Sequence, residues 1–178
     1  FAFALTIISP LLLKISETYS LSLAQTGWVF TINFLGFVIL TFLSGVIIDL
    51  IGKKSMLMVS LIGLSASLLL VVFASDFTIF CVCMFFMGGF GGVVQTVMAS
   101  TIPEVNRSNV SFYQNMVQIF FGVGALVGPV SAGLLVTAGL DWRYVFMIAG
   151  ALGMVIAIGV TFTRLPAMRA EADDFSIS

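Results

Sequence analysis

Charged residues divide the chain into uncharged stretches at 1–13, 18–48, 55–75, 77–103, 108–140 and 144–163, five of them at least 20 residues long. An α-helix rises ~1.5 Å per residue, so ~20 residues span a ~30 Å hydrocarbon core. The apolar runs are continuous and do not alternate, which argues against the strands of a membrane barrel. The pattern predicts an all-α membrane protein with six transmembrane helices, at 1–13, 25–48, 56–74, 77–100, 109–137 and 143–162. A charge at mid-bilayer costs at least ~2.5 kcal/mol on the insertion scale, which accounts for the confinement of charge to the intervals. So many spans exclude a cleaved signal peptide as the source of the hydrophobicity.

The intervals carry further signals. Ser22 and Gln25 have the spacing of a capping box opening the second helix. Lys53, Lys54, Arg107, Arg164 and Arg169 fall between helices 2 and 3, between helices 4 and 5, and after helix 6. The other intervals hold only Lys14 and Arg143. The positive-inside rule then puts the first group, and both chain ends, in the cytoplasm, with the plasma (inner) membrane the expected location. Trp28 and Trp142 fall near the opposite interface, where amphipathic rings are favoured.

Composition narrows the function classes. The chain of 178 residues is 60% hydrophobic and 8% charged, against about 25% charged in soluble domains. A net charge of −1 leaves no electrostatic footprint for nucleic acid. There is no His, and Cys81 and Cys83 sit inside an apolar run, which removes most metal-site and nucleophile–His chemistry. No phosphate-binding Gly-Lys-Ser/Thr loop is present, so neither a nucleotide nor another cofactor is expected. With no deep carboxylate, no catalytic constellation of an enzyme is in view.

An internal repeat is visible at an offset of 88 residues. Ser44-Gly45-Val-Ile-Ile-Asp49 aligns with Ala132-Gly133-Leu-Leu-Val-Thr137, and the helix that follows runs Met56 to Gly63 in one copy and Val145 to Leu152 in the other. Three helices per repeat gives the two copies opposite membrane orientation, the inverted repeat of transporter halves. Position 1 then corresponds to position 89, in the middle of helix 4. The first helix is therefore expected to lack about a dozen residues relative to its copy.

Two motifs carry a family resemblance. Between helices 2 and 3 stands Gly45-x-x-x-Asp49-x-x-Gly52-Lys53-Lys54. Gly45 suits close helix approach, Gly52 a tight turn, and Asp49 can meet the positive end of a helix dipole. In helix 5, Gly124, Gly128 and Ala132 recur every four residues, Pro129 kinks the helix, and Gly133 follows. These residues resemble the major facilitator superfamily. Its loop signature is Gly-x-x-x-Asp-Arg-x-Gly-Arg-Arg/Lys, with Leu50 here in place of the first Arg. Its helix 5 motif is Gly-x-x-x-Gly-Pro-x-x-Gly-Gly. Pro103-Glu104-x-x-Arg107 is also typical of it. The resemblance implies the N-terminal six-helix half of a twelve-helix fold. Residues 1–163 would form the bundle and 164–178 the start of a central cytoplasmic loop. It implies that the Gly45–Lys54 segment latches to a C-terminal half. Asn115-x-x-Gln118-x-Phe120-Phe121-Gly122 is similar to the sugar-transporting branch that includes the fucose–proton symporter. The places of the family's coupling carboxylates hold Thr6 and Val94 or Gln95.

Polarity within helix 5 marks a binding face. Ser111, Asn115, Gln118 and Gly122 share one side, while Gly124 lies roughly 200° from Gly122. The polar side is expected to line a central aqueous cavity and the smooth side to pack within the bundle. Asn115, Gln118, Gln95, Asn33 and Thr6 are the candidate substrate-binding residues. Amides donate and accept, which fits neutral polyhydroxyl or amide solutes. The bland alternatives are interhelical hydrogen bonds for Asn and Gln, a backbone bond for Thr6, and packing or lipid contact for Phe85, Phe86, Phe120 and Phe121. Gly88, Gly92, Thr96 and Ser100 read as a helix-packing stripe. The expected partners are a small-molecule substrate, the bilayer and the C-terminal half, with a coupling ion left open. The expected function is alternating-access transport of a small polar solute such as a sugar or related metabolite. The alternatives are an efflux antiporter of the same fold and a non-transporting membrane sensor or scaffold.

Overall fold

A computed structural model describes residues 1–105 and 108–162. Arg107, and the segment 164–178 with its basic residues, lie outside the described residues. The described chain is helical: α1 (Ala2–Thr6), α2 (Ile8–Thr18), α3 (Leu23–Ile51), α4 (Lys53–Leu70, continued by a 3₁₀ turn to Phe73), α5 (Phe77–Val105), α6 (Val110–Thr137) and α7 (Trp142–Phe162). From α3 on, five helices are long and apolar enough to cross a membrane. They match the last five predicted spans to within a few residues.

The first predicted span needs correction. Its helix does not stop at residue 13 but runs to Thr18, past an exposed Lys14–Glu17 pair at 3.2 Å. It is also interrupted at Ile7. Pro10 has no N–H to reach the Thr6 carbonyl, and its ring crowds that same group, so the hydrogen-bond ladder breaks one turn earlier.

Local signals end the other helices. The Gln25 N–H donates to Ser22 Oγ and the Ser22 N–H donates to Gln25 Oε1 (2.8 Å), so the predicted capping box opens α3. Gly52, at φ 80° and ψ 152°, both closes α3 and opens α4, a conformation that suits only glycine. Gly139, at φ 90°, closes α6, with Gly139 N–H bonded to Val136 and Leu140 N–H to Leu135. The Asp76 carboxylate accepts from the Ile79 N–H (3.0 Å) at the start of α5.

Small residues set the packing. α5 lies against α3 and α4, α4 against α7, and α6 against α1 and α2. The α3–α5 seam is the tightest. A Cβ on Gly36 would sit 1.9 Å from the Phe85 carbonyl oxygen, and one on Gly88 would sit 2.0 Å from that of Asn33. Gly150 and Gly153 meet Ser65 and Leu69 across the α4–α7 seam. Without a hydrophobic driving force in lipid, such close backbone approach is what holds helices together.

Two apolar clusters fill the interior. The larger includes Ile8, Leu11, Ile15, Leu68, Phe80, Met84, Trp142 and Phe146, and the smaller Ile48, Met56, Leu57, Val93 and Val97. At the end of the bundle where α2, α4 and α6 finish, polar groups tie three connections together. Trp142 Nε1 donates to Thr18 Oγ1 (3.0 Å), and the Tyr19 hydroxyl (2.9 Å) and Arg143 Nη2 (3.4 Å) both donate to the Ala74 carbonyl. The Arg143 guanidinium lies 4.6 Å from the Trp142 ring centroid. Burial pushes the Tyr19 phenol up while the Arg143 charge pulls it back, and the net direction is upward. Trp142 is buried (3% exposed) and acts as a strut between these connections, whereas Trp28 is exposed.

Candidate functional site

A cavity of about 590 Å³ opens between α1, α5 and α6. α6 supplies Gln114, Asn115, Val117, Gln118, Phe120, Phe121 and Gly124, and α5 supplies Val94, Gln95, Met98, Ala99 and Ile102. Phe1, Ala2 and Phe3 complete it. No lining side chain carries a charge or a hydroxyl. Among the described residues no cluster of three or more His, Cys, Asp or Glu could hold a metal.

The sequence candidates separate cleanly. Asn115, Gln118 and Gln95 meet at this cavity, and none has a hydrogen-bond partner among the described residues. Asn33 does not reach it. It is 2% exposed, and its Nδ2 donates to the Met84 carbonyl (2.9 Å), a tie across the α3–α5 seam. The close approach of Gly88 brings that carbonyl within range. Thr6 is also absent from the lining, because its hydroxyl donates to the Ala2 carbonyl (3.0 Å) in its own helix. Gln114 joins the lining although the polar stripe of α6 omitted it. The lined face of α6 is rotated from that stripe by roughly one residue step (~100°), which brings in Phe121 and the edge of the smooth face at Gly124 and leaves out Ser111 and Gly122. The signal was the spacing of Gln114, Gln118 and Phe121, at i, i+4 and i+7.

The smooth side of α6 packs against α1. A Cβ at Gly124 would lie 3.3 Å from Ala2 Cβ and from the Phe3 nitrogen, and one at Gly128 would lie 2.5 Å from Thr6 Oγ1. Ala132 is fully buried. Gly133 has nothing within 4 Å, so it lies off this packed stripe. Pro129 sits inside α6, where it leaves the Ala125 carbonyl without its usual helical donor.

The Gly45–Lys54 segment divides similarly. Gly45 has nothing within 4 Å of a Cβ position, so no helix approaches it closely here. Asp49 is exposed in the last turn of α3, with no partner among the described residues. Lys53, the first residue of α4, reaches across to the end of α5. Its Nζ donates to the Ser100 carbonyl (3.1 Å) and pairs with the Glu104 carboxylate. Each of these two charges sits at the helix end whose dipole disfavours it, by about 0.3–1 kcal/mol. Their pairing offsets both. The partner of Lys53 lies 51 residues away, beyond any local pattern.

The family model described as Major Facilitator Superfamily matches residues 1–176. The chain is 22% identical over 169 residues to a protein named Protein TsgA homolog from Buchnera aphidicola, covering 94% of this chain and 43% of that protein. It is 26% identical over 166 residues to a gentisate transporter of Corynebacterium glutamicum, covering 92% and 37% respectively. It is 30% identical over 144 residues to a probable actinorhodin transporter of Streptomyces coelicolor, covering 78% and 25%. The chain spans less than half the length of these relatives.

Proposed function

We propose a transport role for this chain, which belongs to the major facilitator superfamily and is an integral membrane protein. In this reading it is the N-terminal half of a secondary or facilitative carrier. Residues 1–163 form six helices in two inverted repeats, and 164–178 begin a central cytoplasmic loop. Both ends face the cytoplasm, in the plasma membrane. The repeat gains support from its paired positions: Ser44 and Ala132 are both fully buried, and Gly45 and Gly133 both face open space. The two half-bundles of the whole carrier rock about a midplane site.

One observation carries the reading: four amides on two helices face a single cavity with no hydrogen-bond partner for their side chains among the described residues. Unbonded amides at a cavity wall are ready donors and acceptors for a small polar solute. The site residues are therefore Gln95, Gln114, Asn115 and Gln118. Asp49 is left free to latch onto the C-terminal half. The lining side chains from these residues carry no charge.

Proteoliposomes holding the full-length protein should move at least one solute from a panel of polar metabolites, in either direction, faster than empty vesicles. Asn115→Leu and Gln118→Leu should each slow that movement tenfold or more without loss of folded protein. A panel-wide absence of flux in both directions would favour the sensor or scaffold alternative and sink this reading.

A further inference from the structure

We propose that the cavity selects an uncharged, planar solute with a donor–acceptor edge, of the lactam, imide or carboxamide class, over a polyhydroxylated one. This rests on the transport reading of the same cavity.

The polar groups are unevenly placed. Three of the four amides, Gln114, Asn115 and Gln118, come from α6. α5 offers only Gln95 among Val94, Met98, Ala99 and Ile102, and α1 offers only apolar side chains. A sugar presents hydroxyls around its whole rim. Against these walls several of them would find no partner, and each one left unpaired weakens binding on the order of tenfold. A lactam or imide instead gathers its N–H and C=O groups on one edge. A side-chain amide carries the same pair, one acceptor beside one donor, so the two edges match directly.

The remaining lining fits the faces of such a ring. Phe3, Phe120 and Phe121 present aromatic surface for offset stacking. The volume of about 590 Å³ leaves room for a ring with a substituent. Charge is the second filter. An anion entering this cavity would shed water and meet no counter-charge among the lining side chains.

Three probes separate the classes: uracil, orotate (the same ring with a carboxylate) and D-glucose. Binding to the full-length protein in nanodiscs should favour uracil over each of the others by tenfold or more. Gln118→Leu on α6 and Gln95→Leu on α5 should each weaken uracil binding about tenfold, with the melting temperature held, because neither amide supports the fold. Equal or tighter binding of orotate or glucose overturns the inference, as does failure of uracil to bind or its indifference to both variants. Flux of glucose or orotate in proteoliposomes would overturn the solute class and leave the transport reading intact. Absence of flux for every solute in the panel would overturn both.

Discussion

Alanine at Gly88 tests whether direct backbone contact holds α3 to α5. The added Cβ would lie 2.0 Å from the Asn33 carbonyl oxygen and 2.8 Å from its carbon. Ordinary contact begins near 3.4 Å, and a carbonyl inside a helix cannot rotate away. The helices must therefore part by roughly 1 Å or more to restore normal contact distances. Overpacking of this kind costs about 1–3 kcal/mol. Separation also stretches the Asn33–Met84 hydrogen bond, now 2.9 Å, and such interhelical bonds in membranes contribute about 0.6 kcal/mol, at most about 1.7. Alanine returns up to about 1 kcal/mol through helix propensity. The expected net loss is about 1–3 kcal/mol. Gly159→Ala on α7 is the control, because nothing lies within 4 Å of its Cβ position and only the propensity gain applies. The two variants should move in opposite directions in reversible unfolding of the full-length protein in bicelles. A Gly88→Ala protein as stable as wild type, or an equal loss for both variants, would refute the seam as the source of cohesion.

Two further perturbations address the ends of the bundle. Lys53→Met and Glu104→Gln, alone and combined, should give a coupling energy of about 0.5–1 kcal/mol, because both side chains are partly exposed and the pair is screened; a coupling of zero in the double-mutant cycle would show that the contact contributes nothing. Trp142→Phe removes the donor to Thr18 from a buried site and should lower stability by about 1–2 kcal/mol, measured by the same unfolding assay, whereas Trp28→Phe, on exposed surface, should change it far less.

Five helices could be read from the chain because the bilayer imposes long uncharged runs, and those runs survive any detail of packing. The first helix shows the limit of that signal. Lys14 and Glu17 mark the expected end of the first span, but both residues continue the helix to Thr18, so a rule about charge in hydrocarbon missed the helical boundary. Candidate site residues were legible only to the face. Asn33 and Asn115 are both amides within apolar runs, and nothing local distinguishes them. Their fates differ because Gly88 lets α5 press against Asn33, while α6 turns Asn115 toward open space. Gln114 was missed because the polar stripe of α6 could be drawn along Ser111, Asn115 and Gln118, and only the docking of α1 and α5 fixes the helix rotation.

Burial and charge are both consistent with the C-terminal half proposed above. In α4 and α5, 44% and 50% of the most apolar window is buried, but in α3 and α6 only 11%. Lipid alone could cover apolar faces like these. It would not account for Asp49. A carboxylate in the last turn of a helix opposes the dipole by about 0.3–1 kcal/mol, the same penalty that Glu104 carries at the end of α5. Glu104 is compensated by Lys53, and Asp49 has no such partner among the described residues. The charge therefore adds nothing to the stability of this bundle, yet it stands on α3, one of the two helices left most open. A second bundle that covers α3 and α6, and brings the positive end of a helix to Asp49, would account for the open faces and the uncompensated carboxylate with one partner.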